Sequence, residues 1–166
     1  MERSSSVAEL SETYRTFAAR MMRKFLYSRI TSASALQAVM HGQYPALVWN
    51  TVPGVKTEEI ASVMQRLMAN GCRYIVAAGT ECERWHDIAD SQFFALFPTE
   101  PERDANFVMT SWHAGESPED VLLFLVYGTN FEEHDFKEFF VLQFGEDDKV
   151  EWQLKAAIAR EYQQGN

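Results

Sequence analysis

The spacing of apolar residues along the chain changes once, near residue 43. Before that point apolar side chains recur every three or four residues, which is typical of a helix buried on one face. We predict an amphipathic helix over residues 6–30, opened by a capping box of Ser6 and Glu9, and a short second helix over residues 34–40. The stripe of the first helix comprises Val7, Leu10, Tyr14, Phe17, Met21 and Phe25.

Beyond residue 43, short apolar runs alternate with helical stripes. A short apolar run suits a strand that is buried on both faces of a sheet. The predicted strands span residues 45–49, 73–78, 106–111 and 137–144. The predicted helices begin at Thr57, at a Thr80–Glu83 capping box, at Pro118 and near Trp152, and residues 98–105 and 129–135 are predicted to be loops.

Alternation of strands and helices predicts right-handed crossovers and therefore parallel strands. The expected fold is α/β, with a small, mainly parallel sheet of about four strands, helices on both faces and two N-terminal helices before the sheet. We expect one domain over residues 1–166, in which a helical arm (1–42) packs on an α/β body (43–166). Four residues should stand near the carboxyl ends of the strands: Trp49, Ala78, Ser111 and Phe144.

Two Trp-His pairs, Trp85-His86 and Trp112-His113, occur where predicted strands give way to helices. Ligands of open α/β sheets bind at the carboxyl ends of the strands, so both imidazoles are expected on one side of the sheet, in a shared crevice. We also expect Trp85 or Trp112 to be largely buried. Such a crevice would be the site of a small-ligand sensor or a hydrolase.

The candidate catalytic residues of that alternative are Cys82, His86, His113 and Asp87. Cys82 would stand in the first turn of a helix, where the dipole favours a thiolate, and His86 follows four residues later. The simpler interpretation is a small buried cysteine. Zinc could be held by Cys82, His86 and His113 with Asp87 or Glu116, but no tight ligand spacing supports this set, and we predict no metal and no cofactor.

Charge narrows the classes of partner. The formal net charge is −9 and the pI is near 4.9, which argues against direct binding of nucleic acid. Residues 1–40 carry +3, so residues 41–166 carry −12. Two cysteines give no disulfide framework, the N-terminus lacks the apolar core of a signal peptide, and no apolar stretch is long enough for a membrane span. We therefore expect a cytoplasmic protein without a membrane partner.

Acidic loops and exposed aromatic side chains favour a protein partner with a basic surface. The expected binding residues are Trp85, Trp112, Glu132, Glu133, Asp135, Glu146 and Asp147. The N-terminal helix could also bury its stripe against a second copy of the chain and so form a homo-oligomer.

Three strings carry a resemblance to a known kind of protein: residues 72–79, 81–87 and 109–113. They resemble an uncharacterised family of small bacterial α/β domains over roughly residues 45–145. The resemblance implies a bacterial or phage setting, and because no activity is known for that family it implies nothing about catalysis. Together these observations favour a non-catalytic, acidic protein-binding module, such as a bacterial immunity or inhibitor protein or a small subunit of a defence complex.

Overall fold

The computed structural model describes residues 23–37 and 40–163. Five strands are present in this part of the chain: β1 (Lys24–Ile30), β2 (Tyr44–Asn50), β3 (Cys72–Gly79), β4 (Met109–His113) and β5 (Glu138–Phe144). The helices are α1 (Thr57–Ala69), α2 (Cys82–Leu96), α3 (Glu100–Ala105), α4 (Pro118–Tyr127) and α5 (Asp148–Gln163), with a 3-10 turn at Ala33–Ala35. None of the helices described is long and apolar enough to cross a membrane.

All strand pairs of the sheet are parallel, in the order β1-β5-β2-β3-β4. The three central strands are apolar enough for a parallel sheet, because every residue of β2 and almost all residues of β3 and β5 are buried. Parallel sheets are stable only when helices cover both faces. Here α1 and α2 cover one face and α4 and α5 the other, which confirms the predicted parallel α/β fold.

The first strand corrects the predicted N-terminal helix. Residues 24–30 pair with β5 along their whole length, from Lys24 opposite Glu138 to Ile30 opposite Phe144. Phe25 stacks on Phe139 on the α4 and α5 face, at 5.3 Å between ring centroids, whereas Leu26 packs against the opposite core. This alternation is the period of a strand. The sheet therefore has five strands, and residues 24–30 are not part of a helical arm.

The rest of the predicted arm is changed or lies outside the described residues. The expected second helix, residues 34–40, is replaced by the 3-10 turn at Ala33–Ala35, and Leu36 is already extended. The Ala33 amide donates to the Glu59 carboxylate at the start of α1, which ties the turn to the body. Most of the predicted stripe, from Val7 to Met21, and residues 38–39 lie outside the described residues.

Two helix starts also differ from the sequence prediction. The stretch 98–105 contains the short helix α3, opened by a capping box between Thr99 and Glu102. By contrast, no capping box forms at Thr80 and Glu83, because α2 begins at Cys82 after Glu81 adopts a left-handed conformation (φ 54°). No side chain caps α2; the Glu81 carboxylate instead accepts a hydrogen bond from Gly54 in the loop after β2.

The two tryptophans Trp85 and Trp152 provide a test of the core. Trp85 is 1% exposed and packs on Phe144 at 5.2 Å between rings, whereas Trp152 is 69% exposed. We expect Trp85→Ala to lower the free energy of unfolding by about 3–5 kcal/mol and the matched Trp152→Ala by less than about 1 kcal/mol. Urea denaturation followed by circular dichroism measures both. Equal losses would contradict the assignment of Trp85 to the core.

Candidate functional site

The carboxyl ends of the parallel strands meet at one edge of the sheet. We call the loops and first helical turns after β2, β3, β4 and β5 the carboxyl rim. Its four segments are residues 51–59, 79–87, 114–120 and 145–151. Ligands of open α/β sheets bind at this edge, because neighbouring loops that turn toward opposite faces of the sheet have a crevice between them.

A buried amide at the end of β2 holds two of these loops together. Asn50 is 1% exposed, and its Nδ2 donates to the carbonyls of Val52 (2.8 Å) and Thr80 (2.7 Å). Its Oδ1 accepts from the Val52 amide at 3.1 Å. Both the nitrogen and the oxygen of the Asn50 side-chain amide thus have protein partners. Through them Asn50 links the loop after β2 to the loop after β3.

A second buried amide does the same at the end of β5. Gln143 is fully buried, and its Nε2 donates to the carbonyls of Gly145 (3.1 Å) and Asp147 (2.9 Å). Its Oε1 accepts from the Tyr27 hydroxyl at 2.8 Å. Burial is the main cause that raises the pKa of Tyr27 to about 12, so this hydroxyl stays a donor at neutral pH. Neither amide was singled out from the sequence, although each stands at the end of an apolar run.

The turn after β3 depends on a glycine. Gly79 has φ +81°, and a Cβ placed there would lie 2.2 Å from the Asn50 carbonyl oxygen and 2.8 Å from Trp49 Nε1. Only a residue without a side chain permits this approach. Beyond the turn, the Glu81 carboxylate accepts from the Gly54 amide at 2.9 Å and fixes the α2 start to the loop after β2.

These contacts frame an open cleft of about 400 Å³. After β2 the chain crosses to β3 through α1, on one face of the sheet. The strand on the other side of β2 is β5, and the chain leaves it through α5 on the opposite face. The cleft between these two exits therefore stands at a topological switch point. Its lining comprises Trp49, Asn50, Thr51, Gly79, Thr80, Gly115, Glu116, Asp147 and Val150.

The carboxyl rim concentrates the charge of the chain. Its four segments hold twelve acids and three bases, a formal −9, which equals the net charge of all 166 residues. Four of the twelve acids contact an arginine or lysine within the described residues: Glu81, Glu119, Asp148 and Glu151. Seven acids stand in first helical turns, where the dipole favours them, and four precede their helices: Glu81, Glu116, Glu146 and Asp147.

The first Trp-His pair is split between core and surface. Trp85 is buried, and its Nε1 has no hydrogen-bond partner among the residues described. His86 lies on the flank of α2, with Nδ1 3.1 Å from Asp87 Oδ1 and Nε2 3.6 Å from Asp90 Oδ2. Trp85 therefore cannot contact a partner as a binding residue, and its burial confirms the expectation that Trp85 or Trp112 is largely buried.

The second pair lies within β4, which continues two residues past the predicted end at Ser111. Successive side chains of a strand point to opposite faces. Trp112 packs on His86 of α2 at 4.6 Å between ring centroids, whereas His113 packs on Phe124 of α4 at 4.4 Å, each with tilted rings. The edge strand thus separates the two imidazoles, and the expected shared crevice of His86 and His113 does not form.

On the α4 face, His113 lies between two polar side chains. Its Nδ1 is 3.1 Å from both carboxylate oxygens of Glu116, and its Nε2 is 3.3 Å from Ser111 Oγ. A carboxylate can only accept, so Nδ1 carries the proton that is donated to Glu116, and in the neutral ring Nε2 is then the acceptor that faces the Ser111 hydroxyl. Sequence reasoning missed Ser111 as a partner, although the i, i+2 spacing on a strand places both side chains on one face.

Cys82 does not join any of these groups. It is 3% exposed and lies on the inner face of α2 with Trp85 and Ala89, whereas His86 lies on the helix flank. The Cys82-His86 pair and the zinc set with His113 are therefore not assembled. Among residues 23–37 and 40–163, no group of three or more His, Cys, Asp or Glu side chains is placed to hold a metal ion.

The predicted acidic binding residues fall at two ends of the molecule. Glu132, Glu133 and Asp135 precede β5 at the amino edge, where Asp135 contacts Lys137 at 2.8 Å. Glu146 and Asp147 follow β5 at the carboxyl edge. A strand of seven residues spans about 23 Å, so the five acids do not form one face.

A family described as Domain of unknown function (DUF7684) matches residues 25–163. The chain belongs to this family. Neither the curated proteins nor the solved structures contain a match to it. The resemblance to an uncharacterised family is confirmed, and the DUF7684 match begins at β1 rather than near residue 45, as expected if β1 completes the sheet.

Asn50 tests how the rim of this DUF7684 domain is held. Asn50→Asp keeps the shape of the side chain but replaces its two donors by acceptors that face the Val52 and Thr80 carbonyls. We expect a loss of about 2–3 kcal/mol in unfolding free energy, because buried acceptors are left unpaired. The matched control is Asn130→Asp, at an exposed position, with a change within about 0.5 kcal/mol. Similar stability of both variants in urea would contradict the linking role of Asn50.

The two cysteines should be unreactive in the native protein. Cys72 and Cys82 are both buried, and burial is the main cause that raises the pKa of the Cys72 thiol to about 12. We expect iodoacetamide at pH 8 to add nothing to the folded protein within an hour and two groups after unfolding in urea, as read by intact mass. Rapid alkylation of folded protein at Cys82 would restore it as a candidate nucleophile.

Proposed function

We propose that the protein is a binding module whose carboxyl rim engages a basic surface of a partner protein. The observation that carries the proposal is the concentration of the whole formal charge of −9 around the switch-point cleft, while the rest of the chain sums to zero. The proposal requires no turnover. Immunity proteins, inhibitors and small subunits of defence complexes act in this way, and these classes remain predictions.

The uneven charge supports a role in association. A surface with one sign of charge steers an oppositely charged partner and can raise the association rate by one to three orders of magnitude. Eight acids of the carboxyl rim have no arginine or lysine within 4.0 Å among the described residues. Their field is thus not neutralised locally and is available to a partner.

The cleft supplies a site that a long basic side chain would fit. Glu116 and Asp147 contribute carboxylates to its lining, and Trp49 and Val150 contribute apolar surface. Lysine and arginine carry an apolar stem with a charged end, so they match such a lining better than a phosphate or a second carboxylate would. The exposed Trp112 stands on the neighbouring edge strand, at 47% exposure, where it can add contact area.

Charge reversal at the two ends of the sheet tests the proposal. The rim variant is Glu83→Lys with Glu146→Lys, and the matched control is Glu132→Lys with Glu133→Lys at the amino edge. All four residues are exposed, and both variants change the net charge by the same amount. Affinity capture from a lysate of the source organism, with quantitative mass spectrometry, compares both variants with the wild type.

We expect the wild type and the control to enrich the same basic proteins and the rim variant to lose them. For a purified partner from that set, the rim variant should slow association about 10-fold or more at low salt and flatten its dependence on NaCl concentration. The control should stay within about twofold. Capture of the same proteins by all three baits would overturn the assignment of the carboxyl rim as the interface.

A further inference from the structure

We infer that Ser111 is a nucleophile, activated by His113 as general base and oriented through Glu116, and that it is acylated by small activated acyl compounds. The inference goes beyond the proposed binding function and does not depend on it. It starts from one hydrogen-bonded row on the α4 face of β4: Ser111 Oγ, the two ring nitrogens of His113, and the Glu116 carboxylate.

The order of contacts along this row matches the roles. The carboxylate contacts Nδ1 and the hydroxyl contacts Nε2, which is the arrangement in which imidazole can take a proton from serine. The 3.3 Å between Ser111 Oγ and His113 Nε2 is slightly longer than the about 2.6–3.2 Å of engaged pairs, and such contacts are often looser without substrate. Phe124 packs on the imidazole at 4.4 Å and keeps its plane in place.

The exposure of these three residues distinguishes His113 from a histidine that is simply buried in a core. His113 is 9% exposed, so its Nε2 relies on Ser111, while Ser111 itself is partly exposed and Glu116 reaches the switch-point cleft. β4 is the last strand of the sheet, and within the described residues no strand covers its outer edge. A small substrate could therefore approach Ser111 from that edge, where alternate backbone amides are free to donate.

The reaction is balanced as follows. Ser111 Oγ forms a bond to the acyl carbon while its proton passes to His113 Nε2, and the bond from that carbon to the leaving oxygen breaks as the same proton is returned to the leaving group. Water then attacks the acyl carbon while His113 takes one of its protons, and the bond between the acyl carbon and Ser111 Oγ breaks as that proton passes to Oγ. The products are a carboxylic acid and an alcohol. Glu116 stays ionised and acts as a positioning residue.

A fluorophosphonate probe tests the nucleophile directly, because the serine oxygen displaces fluoride and the adduct is stable. We expect one adduct per wild-type chain in the intact mass, located at Ser111 by peptide mapping. Ser117 is the internal control, because its hydroxyl caps α4 and has no histidine contact among the described residues. The location is read in the wild type, so the result does not depend on whether Ser111→Ala folds.

Variants then separate the roles. His113→Ala should slow labelling at least about 100-fold, and added imidazole should restore part of the rate. For p-nitrophenyl acetate, Glu116→Gln should lower kcat about 10-fold and leave KM within about twofold, which a loosened fold would not do. Circular dichroism checks that each variant is folded. A folded wild type without an adduct at Ser111, an adduct only at other hydroxyls, or unchanged labelling in His113→Ala would each overturn the inference.

Discussion

Burial of the sheet on both faces is the constraint that organises this protein. Because helices cover β2, β3 and β5 from both sides, few polar side chains are buried in these strands. They are the hydrogen-bonded amides of Asn50 and Gln143 and the guanidinium of Arg73, whose Nε has no partner among the described residues. Polar chemistry is therefore displaced to the strand ends and to the edge strand. The acids collect at the carboxyl rim, where helix dipoles favour them, and two of the four histidines, His86 and His113, lie beside and on β4.

Much of this arrangement could be predicted from local patterns. The apolar runs of β2, β3 and β5 are strong enough to place the strands within a residue or two, and Ser117-Pro118 opens α4 as its capping chemistry requires. β1 was missed because Phe25 continues the three- and four-residue spacing of the preceding stripe. The adjacent apolar residues Phe25, Leu26 and Tyr27 show no alternation that would reveal a strand in the sequence, and pairing with β5 decides which period applies.

The candidate site was predicted less well, for a geometric reason. Spacing along the chain places both Trp-His pairs near strand ends, but it does not say which face of the sheet each ring occupies. The exact end of β4 decides this, because moving a strand boundary changes which residues obey the alternation of side chains. Because Trp112 and His113 are consecutive residues of β4, their side chains lie on opposite faces of the sheet, and Ser111 lies on the same face as His113. The contacts that Asn50 and Gln143 make with neighbouring loops cannot be read from the sequence either. There, each residue is only a single polar position at the end of an apolar run.

The position of β1 has a consequence for how the chain acquires its fold. Its strand neighbour is β5, which follows more than about a hundred residues later, and β5 must enter between β1 and β2. During synthesis β2, β3 and β4 can pair through their helical crossovers, whereas the outer half of the sheet waits for residues 138–144. Until then β2 is an apolar edge with unpaired backbone groups, which readily joins another chain. The solubility of any nascent or shortened chain thus depends on a strand near its end.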